Sequence, residues 1–597
     1  MNNARTRVGM LLVICMLVGL VAGCGPTDTT TVPTTTPQGT TATPTTTPGT
    51  TPAGNPNLNA PGQLPICKEQ ETIRVVISQS PHVQSYKYGE NKLSTLLQDR
   101  TNVAVEHILY PEADAQTKLN IELSTGGDLG DLILILMDRA MLATYGGQGV
   151  LLPLNDMIDQ YGYLMKQLLD TDASALAKIT APDGNIYALP SGGLNSIIPN
   201  AYAMRHWIHT GFLEKYESAT GKGMPTTTDE YYEYMKWCTE NDPNGNGQAD
   251  EVGWTGAEKT AVWYARPTCF LMNSFTLTNQ DGYYQKDDKI GCAMIEDGYR
   301  EGLKYINKLM EEGLMDENYP SNDENAIKTL VALEDGETVA SITCGGMHNA
   351  ATDHSVRFKY EIVAPLKGPD GFVNAFYDHY STGVQPGKAT IPATTEKADV
   401  VMLWMDSNYD PVVKLSDRYG EKDVDWEIPP AGTKAIDGGP ATHKDITSQW
   451  NVPTYSHWFT AGPGMWAQYS GATCAPQPET DKNGNKIYDL EYFLYEAARL
   501  YEDYVTPCSV PNFFFDQETA TKCNEWKTNI NDYARSAITD FIFGNTDVSD
   551  DAEWDAYVAQ VKSLGLDEYL ATMQADFDAN WKGTLPETYT PFPQRTE

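Results

Sequence analysis

Basic residues are scarce in this chain. Its 42 Lys and Arg stand against 80 Asp and Glu, leaving a formal net charge of −38. That surplus repels phosphate backbones and anionic membrane faces, which argues against nucleic acid and lipid headgroups as partners. Paired cysteines are missing too: none of the ten has C-x-x-C spacing, so neither a zinc knuckle nor a dithiol redox motif is supported. H-E-x-x-H, G-x-S-x-G and the Walker A pattern are all absent. His206 and His209 are spaced for zinc on a helix but have no evident third ligand nearby, and a solvated or packed pair is the better account of them. No apolar run reaches the length of an ordinary spanning helix; the stretch from Val8 to Ala22, behind Arg5 and Arg7, is a leader.

What the chain does have in quantity is Tyr and Trp, 34 and 12 among 597 residues, with a mean hydropathy of −0.42. These rings join a flat apolar face to a hydrogen-bonding edge, which suits sugars, although most rings in any protein serve its core. The leader ends Leu20-Val21-Ala22-Gly23-Cys24, the pattern of a bacterial lipobox, with an ordinary secretory signal as the alternative. From Pro26 to about Pro61 the composition is Thr, Pro, Gly and Asn, too polar to fold. At roughly 3 Å per residue, such a tether spans on the order of 100 Å. Cys67, Cys238, Cys269, Cys292, Cys344, Cys474, Cys508 and Cys523 remain, free and buried or partly paired.

The folded part opens with alternating elements: a strand over Thr72–Ile77, a helix over Lys92–Asp99, a strand over Val103–Leu109, a helix near Ala113–Ser124 and a strand over Asp131–Leu136. That alternation predicts a parallel or mixed sheet covered on both faces. Farther on, Asp242-Pro-Asn-Gly-Asn-Gly-Gln-Ala-Asp-Glu251 places Asp242, Asn244, Asn246, Gln248 and Asp250 on alternate positions of a glycine-bent loop, with Glu251 next. Ca²⁺ takes six to eight hard oxygens, and the pattern follows the first half of an EF-hand loop. Gly253 occupies the twelfth position, where a bidentate Glu is expected; the alternative is a plain polar turn. A weaker copy, Asp481 to Asp489, fits a hairpin at Asn483-Gly484 as well as it fits a metal loop.

Several stretches together resemble a family 1-type extracellular solute-binding lipoprotein, of the large subgroup that serves oligosaccharide ABC importers and includes the alginate-binding proteins. They are Gly127-Asp-Leu-Gly-Asp131, Asp183-Gly-Asn-Ile-Tyr-Ala-Leu-Pro190, Met224-Pro-Thr-Thr-Thr-Asp-Glu-Tyr231, the Asp242–Glu251 loop, Tyr305 to Asp316, Gly336-Glu-Thr-Val-Ala340, Pro365 to Gly371 and Arg418-Tyr-Gly-Glu421. The likeness covers about residues 67–440. It implies that Asp242, Asn244, Asn246, Gln248, Asp250 and Glu251 hold a structural Ca²⁺, with Glu251 standing in for the absent Glu.

The resemblance further implies a periplasmic-binding-protein-like type II α/β fold: two discontinuous α/β lobes joined by hinge strands, with the ligand clamped between them. The expected division is a signal peptide over 1–23, a lipidated Cys24 with a linker over 24–66, lobe 1 over 67–190 and 382–445, and lobe 2 over 191–381 and 446–597. Candidate sugar contacts are Trp254, Trp263, Tyr264, His348, Tyr377, Tyr380, Trp458 and Trp466, on loops beyond predicted strand ends. The expectation is a non-enzymatic, monomeric receptor on the outer face of the cytoplasmic membrane, held by lipid at Cys24 and handing an oligosaccharide to ABC permease subunits. A surface adhesin, a sensor module and an anchored glycoside hydrolase are the competing readings; two of eighty acidic residues can always supply a glycosidase pair.

Overall fold

Eight strands organise the molecule: β1 (Glu71–Gln79), β2 (Val103–Pro111), β3 (Leu132–Ile133), β4 (Leu189–Gly192), β5 (His206–His209), β6 (Ser341–Thr343), β7 (Tyr360–Ile362) and β8 (Val384–Ala389). The computed structural model describes residues 54–170, 175–192, 202–258, 262–332, 337–380, 384–436, 438–447, 453–458, 490–585 and 587–588. Cys24, Trp466 and the loop 481–489 lie outside these.

In the first lobe, β1 is flanked by β2 and β3, both parallel to it. Its apolar residues are buried on both faces, as a covered parallel sheet requires. Ile73, Val75 and Ile77 meet Leu93, Leu97 and the helix Ala398–Ser407, while Val76 meets Leu119, Leu123 and Leu142 on the other side. Asp406 ties this lobe together by accepting from the amides of Tyr163, Leu164 and Met165 at 2.8, 3.1 and 2.9 Å, which gives three orphan donors at a helix start a partner. The lobe also takes in Leu58 and Ile66, upstream of the expected boundary at 67. It includes Thr454–Trp458 as well, placed above in the second lobe: Thr454 bridges Val83, and Trp458 packs beside Trp404. Hydrophobic periodicity carries no signal in so Gly- and Pro-rich a region, so the sequence does not reveal that return.

In the second lobe β5 lies between β6 and β7 and runs antiparallel to both. Parallel bridges add Val252–Thr255 beside β6, and Met315 beside Trp254. The helices Thr228–Asn241 and Asp297–Glu311 cover one face through Tyr231, Tyr234, Met235, Leu303 and Ile306; Ile327, Val331 and Leu494 cover the other. The helices Gln517–Ile542, Asp551–Ser563 and Leu566–Asn580 extend the first of these cores through Ile530, Phe541, Trp554 and Phe577.

β4 and β8 join the lobes as an antiparallel pair. The returning strand begins at Val384. Gly387 shapes its course. It has φ of +102°, and a Cβ there would sit 2.0 Å from the Met137 carbonyl oxygen, so only glycine lets β8 press against the end of β3. Among the described residues no helix is long and apolar enough to cross a membrane, and the seven cysteines from Cys67 to Cys523, Cys474 aside, are free and buried.

Candidate functional site

The acidic loop follows the helix Thr228–Asn241. Thr227 starts that helix by accepting from the Glu230 amide at 3.1 Å. Asp242 ends it in the left-handed conformation with φ of +47°, where its Oδ1 accepts from the amides of Gly245 and Asn246 and its Oδ2 from Gly247. Asn246 accepts from the Gln248 amide at 2.7 Å and donates to Asp250 at 3.2 Å. Glu251 closes the loop, 9% exposed, with neither carboxylate oxygen in a hydrogen bond. Burial raises its pKa; its own amide and that of Asn244 oppose the rise, and the carboxylates of Asp242 and Asp250 add to it. A buried carboxylate facing two others is expensive, and a cation relieves all three. Among the described residues no group of three or more His, Cys, Asp or Glu side chains is drawn tightly enough to hold a metal as it stands. The donors therefore fit Ca²⁺ by type and order, with Glu251 as the group that most needs it. The loop lies behind the sheet end, since Val252 runs straight into pairing with Thr338 and Ala340.

The zinc reading of His206 and His209 fails on the backbone. They lie on a strand, not a helix, so three residues apart they point to opposite faces. His206 stacks on Phe270 with centroids 4.9 Å apart and meets Thr343 Oγ1 at 3.1 Å; His209 caps the next helix and meets Glu337 at 2.7 Å.

Ligands in open α/β sheets sit beyond the carboxyl ends of parallel strands. In the second lobe these ends are Thr343–Gly346, after β6, and Thr255–Glu258, together with Arg205 at the amino end of antiparallel β5. In the first lobe β8 enters beside the carboxyl end of β3, where Leu136 is 58% exposed.

At the second lobe's edge Trp263 lies half-buried on Gly345. A Cβ on Gly345 would fall 2.2 Å from the indole, and the Gly345 amide donates to the Trp263 carbonyl at 2.7 Å. The Arg205 guanidinium is 5.7 Å from the ring centroid and donates to the Gly345 carbonyl; His348 lies 6.0 Å from the indole on another side. Burial, then Arg357, Arg205, Lys328 and Arg418, hold the His348 pKa well below its usual value, so it is neutral. Tyr264, half-buried, has φ of +53°, an uncommon conformation for a bulky residue and of the kind that collects at binding sites.

The remaining candidates separate. Trp254 is fully buried, its indole N–H on Thr343 Oγ1 at 2.9 Å and its ring against Tyr319. Trp458 is equally buried in the first lobe, donating to Ser94 Oγ at 2.9 Å. Both are core residues, corrections to the expectation that they meet sugar; an indole in a fully enclosed core has no face to offer. Tyr377 is buried against Tyr202 and His379, whereas Tyr380 is half-buried, 5.3 Å from Trp581 and hydrogen-bonded to Thr584. Arg205, a cation inside Ala203-Met-Arg-His-Trp207, escaped the sequence reading; a charge at the entry to an apolar strand was its one available signal.

Two α/β lobes joined by the antiparallel pair β4 and β8 define the class of protein, a substrate-binding-protein fold. The particular family follows from residues 93–409, more than half the chain, which match the bacterial extracellular solute-binding protein family; the chain belongs to it. Among its relatives is the fructooligosaccharide ABC transporter substrate-binding protein FusA of Streptococcus pneumoniae serotype 4, 25% identical over 527 residues, covering 86% of this chain and 91% of that protein. The solved structure of S. pneumoniae FusA with kestose superposes with a TM-score of 0.71 at 24% identity, over 85% of this chain and 99% of the other; that of a FusA EF-hand mutant gives 0.69 at 23%, over 85% and 99%. Alginate-binding protein AlgQ2 without calcium ion gives 0.60 at 19% identity, over 86% and 98%.

Proposed function

We propose that this protein captures an oligosaccharide between its lobes and delivers it unaltered to the permease of an ABC importer. Cys24, carrying lipid, holds it at the outer face of the cytoplasmic membrane, and the Thr/Pro segment over 24–66 extends it outward as a monomer. The observation that carries the reading is Trp263, held on Gly345 at the cleft edge with part of its surface free to lie on a pyranose or furanose face. Tyr264 and Tyr380 are the further candidates for contact, with Arg205 behind the platform. Kinship with FusA supports an oligosaccharide as the ligand class. Bound at Asp242, Asn244, Asn246, Gln248, Asp250 and Glu251, Ca²⁺ supplies charge that braces the corner between the helix Thr228–Asn241 and the strand at Val252; it has no part in contacting the sugar. The lobe division of the sequence reading, amended by moving 55–66 and 453–458 to lobe 1, belongs to this proposal.

The test is a thermal-shift and calorimetric screen of neutral and acidic oligosaccharides against the wild type and Trp263→Ala, with each ligand recovered for chromatography. A stabilising glycan returned intact, with binding weakened by the substitution, is the expected result. New reducing ends would replace the reading with glycoside hydrolysis, and polymer binding without lobe closure in small-angle scattering would replace it with an adhesin.

A further inference from the structure

Trp263 and Tyr264 are bracketed in the chain by Glu258 and Arg266, and these two side chains meet. Arg266 Nε donates to the Glu258 carbonyl at 3.3 Å and faces its Oε1 at 3.3 Å. The Ala257 amide donates to the Ala265 carbonyl at 3.0 Å across the same neck. On its other side Arg266 is fixed to the scaffold: Nη1 donates to the Gln280 carbonyl at 2.9 Å and lies 3.7 Å from Asp281 Oδ1. Asp281 in turn takes Arg535 at 3.4 Å and Lys527 at 4.0 Å from the helix Gln517–Ile542. One guanidinium, 7% exposed, thus ties both flanks of the aromatic pair to an anchored acid.

We propose that Glu258 and Arg266 are positioning residues for ligand capture, holding Trp263 and Tyr264 in the pose that meets sugar. The inference rests on the reading of Trp263 as the platform. The groups facing Glu258 are Arg266 and Arg535, with Tyr299, Tyr319 and Cys269 as neutral neighbours and Asp281 beyond Arg266. Burial raises the carboxyl to about 7, although Arg266 and Arg535 pull it down. A neutral carboxyl still accepts from Arg266, and the scaffold side of the clasp does not depend on Glu258.

The experiment uses the full mature chain. Without ligand, acrylamide quenching of the wild type compared with Trp263→Phe reports the exposure of Trp263. That exposure is expected to be low in the wild type and in Glu258→Gln, which keeps an acceptor for Arg266, and high in Glu258→Ala and Arg266→Ala. With the tightest glycan of the screen, Kd is expected to weaken about tenfold in the two alanine variants and to be restored in Glu258→Gln. Wild-type quenching and affinity in both alanine variants overturn the proposal. Should Arg266→Ala fail to fold, the comparison of Glu258→Ala with Glu258→Gln decides alone. If Trp263→Ala binds the glycan normally, the platform reading fails, while the ligand-free quenching still judges the clasp.

Discussion

At the scale of single residues, the site depends on what lies beneath each functional side chain. Trp263 is available only because position 345 has no Cβ. Gly345→Ala is expected to displace the indole and weaken glycan binding by about tenfold or more, while Trp263→Ala removes a stacking surface worth roughly 1.5–3 kcal/mol; isothermal titration against the same glycan checks both. Glu251 bears the cost of the cation loop, so Glu251→Gln should abolish the calcium-dependent rise in Tm, and chelator should lower the wild-type Tm toward that of the variant. A loss of glycan affinity larger than the loss of stability would show that the ion does more than brace. The order of oxygen donors was legible in sequence because alternate Asp and Asn with glycine is a local rule. Which indole is enclosed was not, since the burial of Trp254 and Trp263 depends on strands more than fifty residues away.

At the scale of elements, the hinge and the lobe contacts matter most. Gly387→Ala forces a side chain against the Met137 carbonyl, so β8 must lift off the end of β3; the expected outcome is a Tm lower by several degrees and altered scattering even without ligand. A second tie lies near it. Phe513 and Phe515 stack on each other at 5.5 Å and pack on the second lobe's core, while Phe514 between them packs on the first lobe with Arg139 5.2 Å from its ring centroid. Alternate side chains of an extended segment point to opposite sides, which is how one strap grips two lobes. Phe514→Ala should shift the population toward open lobes, seen as a larger radius of gyration, and weaken ligand binding although Phe514 is far from Trp263 in sequence and core.

Across the whole molecule, acid should act on stability through buried histidines. Burial lowers His206 to about 3 and His107 to about 4. Their unfolded forms take protons near 6.5, so the stability of keeping them neutral is full above that pH and is lost as pH falls toward 4. Differential scanning calorimetry should therefore show Tm falling from pH 6.5 to 4, and His206→Phe, which keeps the stacking on Phe270, should flatten the fall.

The sequence by itself determined the alternating strands and helices that open the first lobe and the order of donors from Asp242 to Glu251. Each of these is set within a few residues by apolar period, cap or turn. Tertiary structure alone decided that Trp458 returns to the first lobe, that His206 and His209 point apart, and that Arg205, Gly345 and Trp263 form one surface. Burial and facing are properties of strands brought together from distant parts of the chain, and no local pattern encodes them.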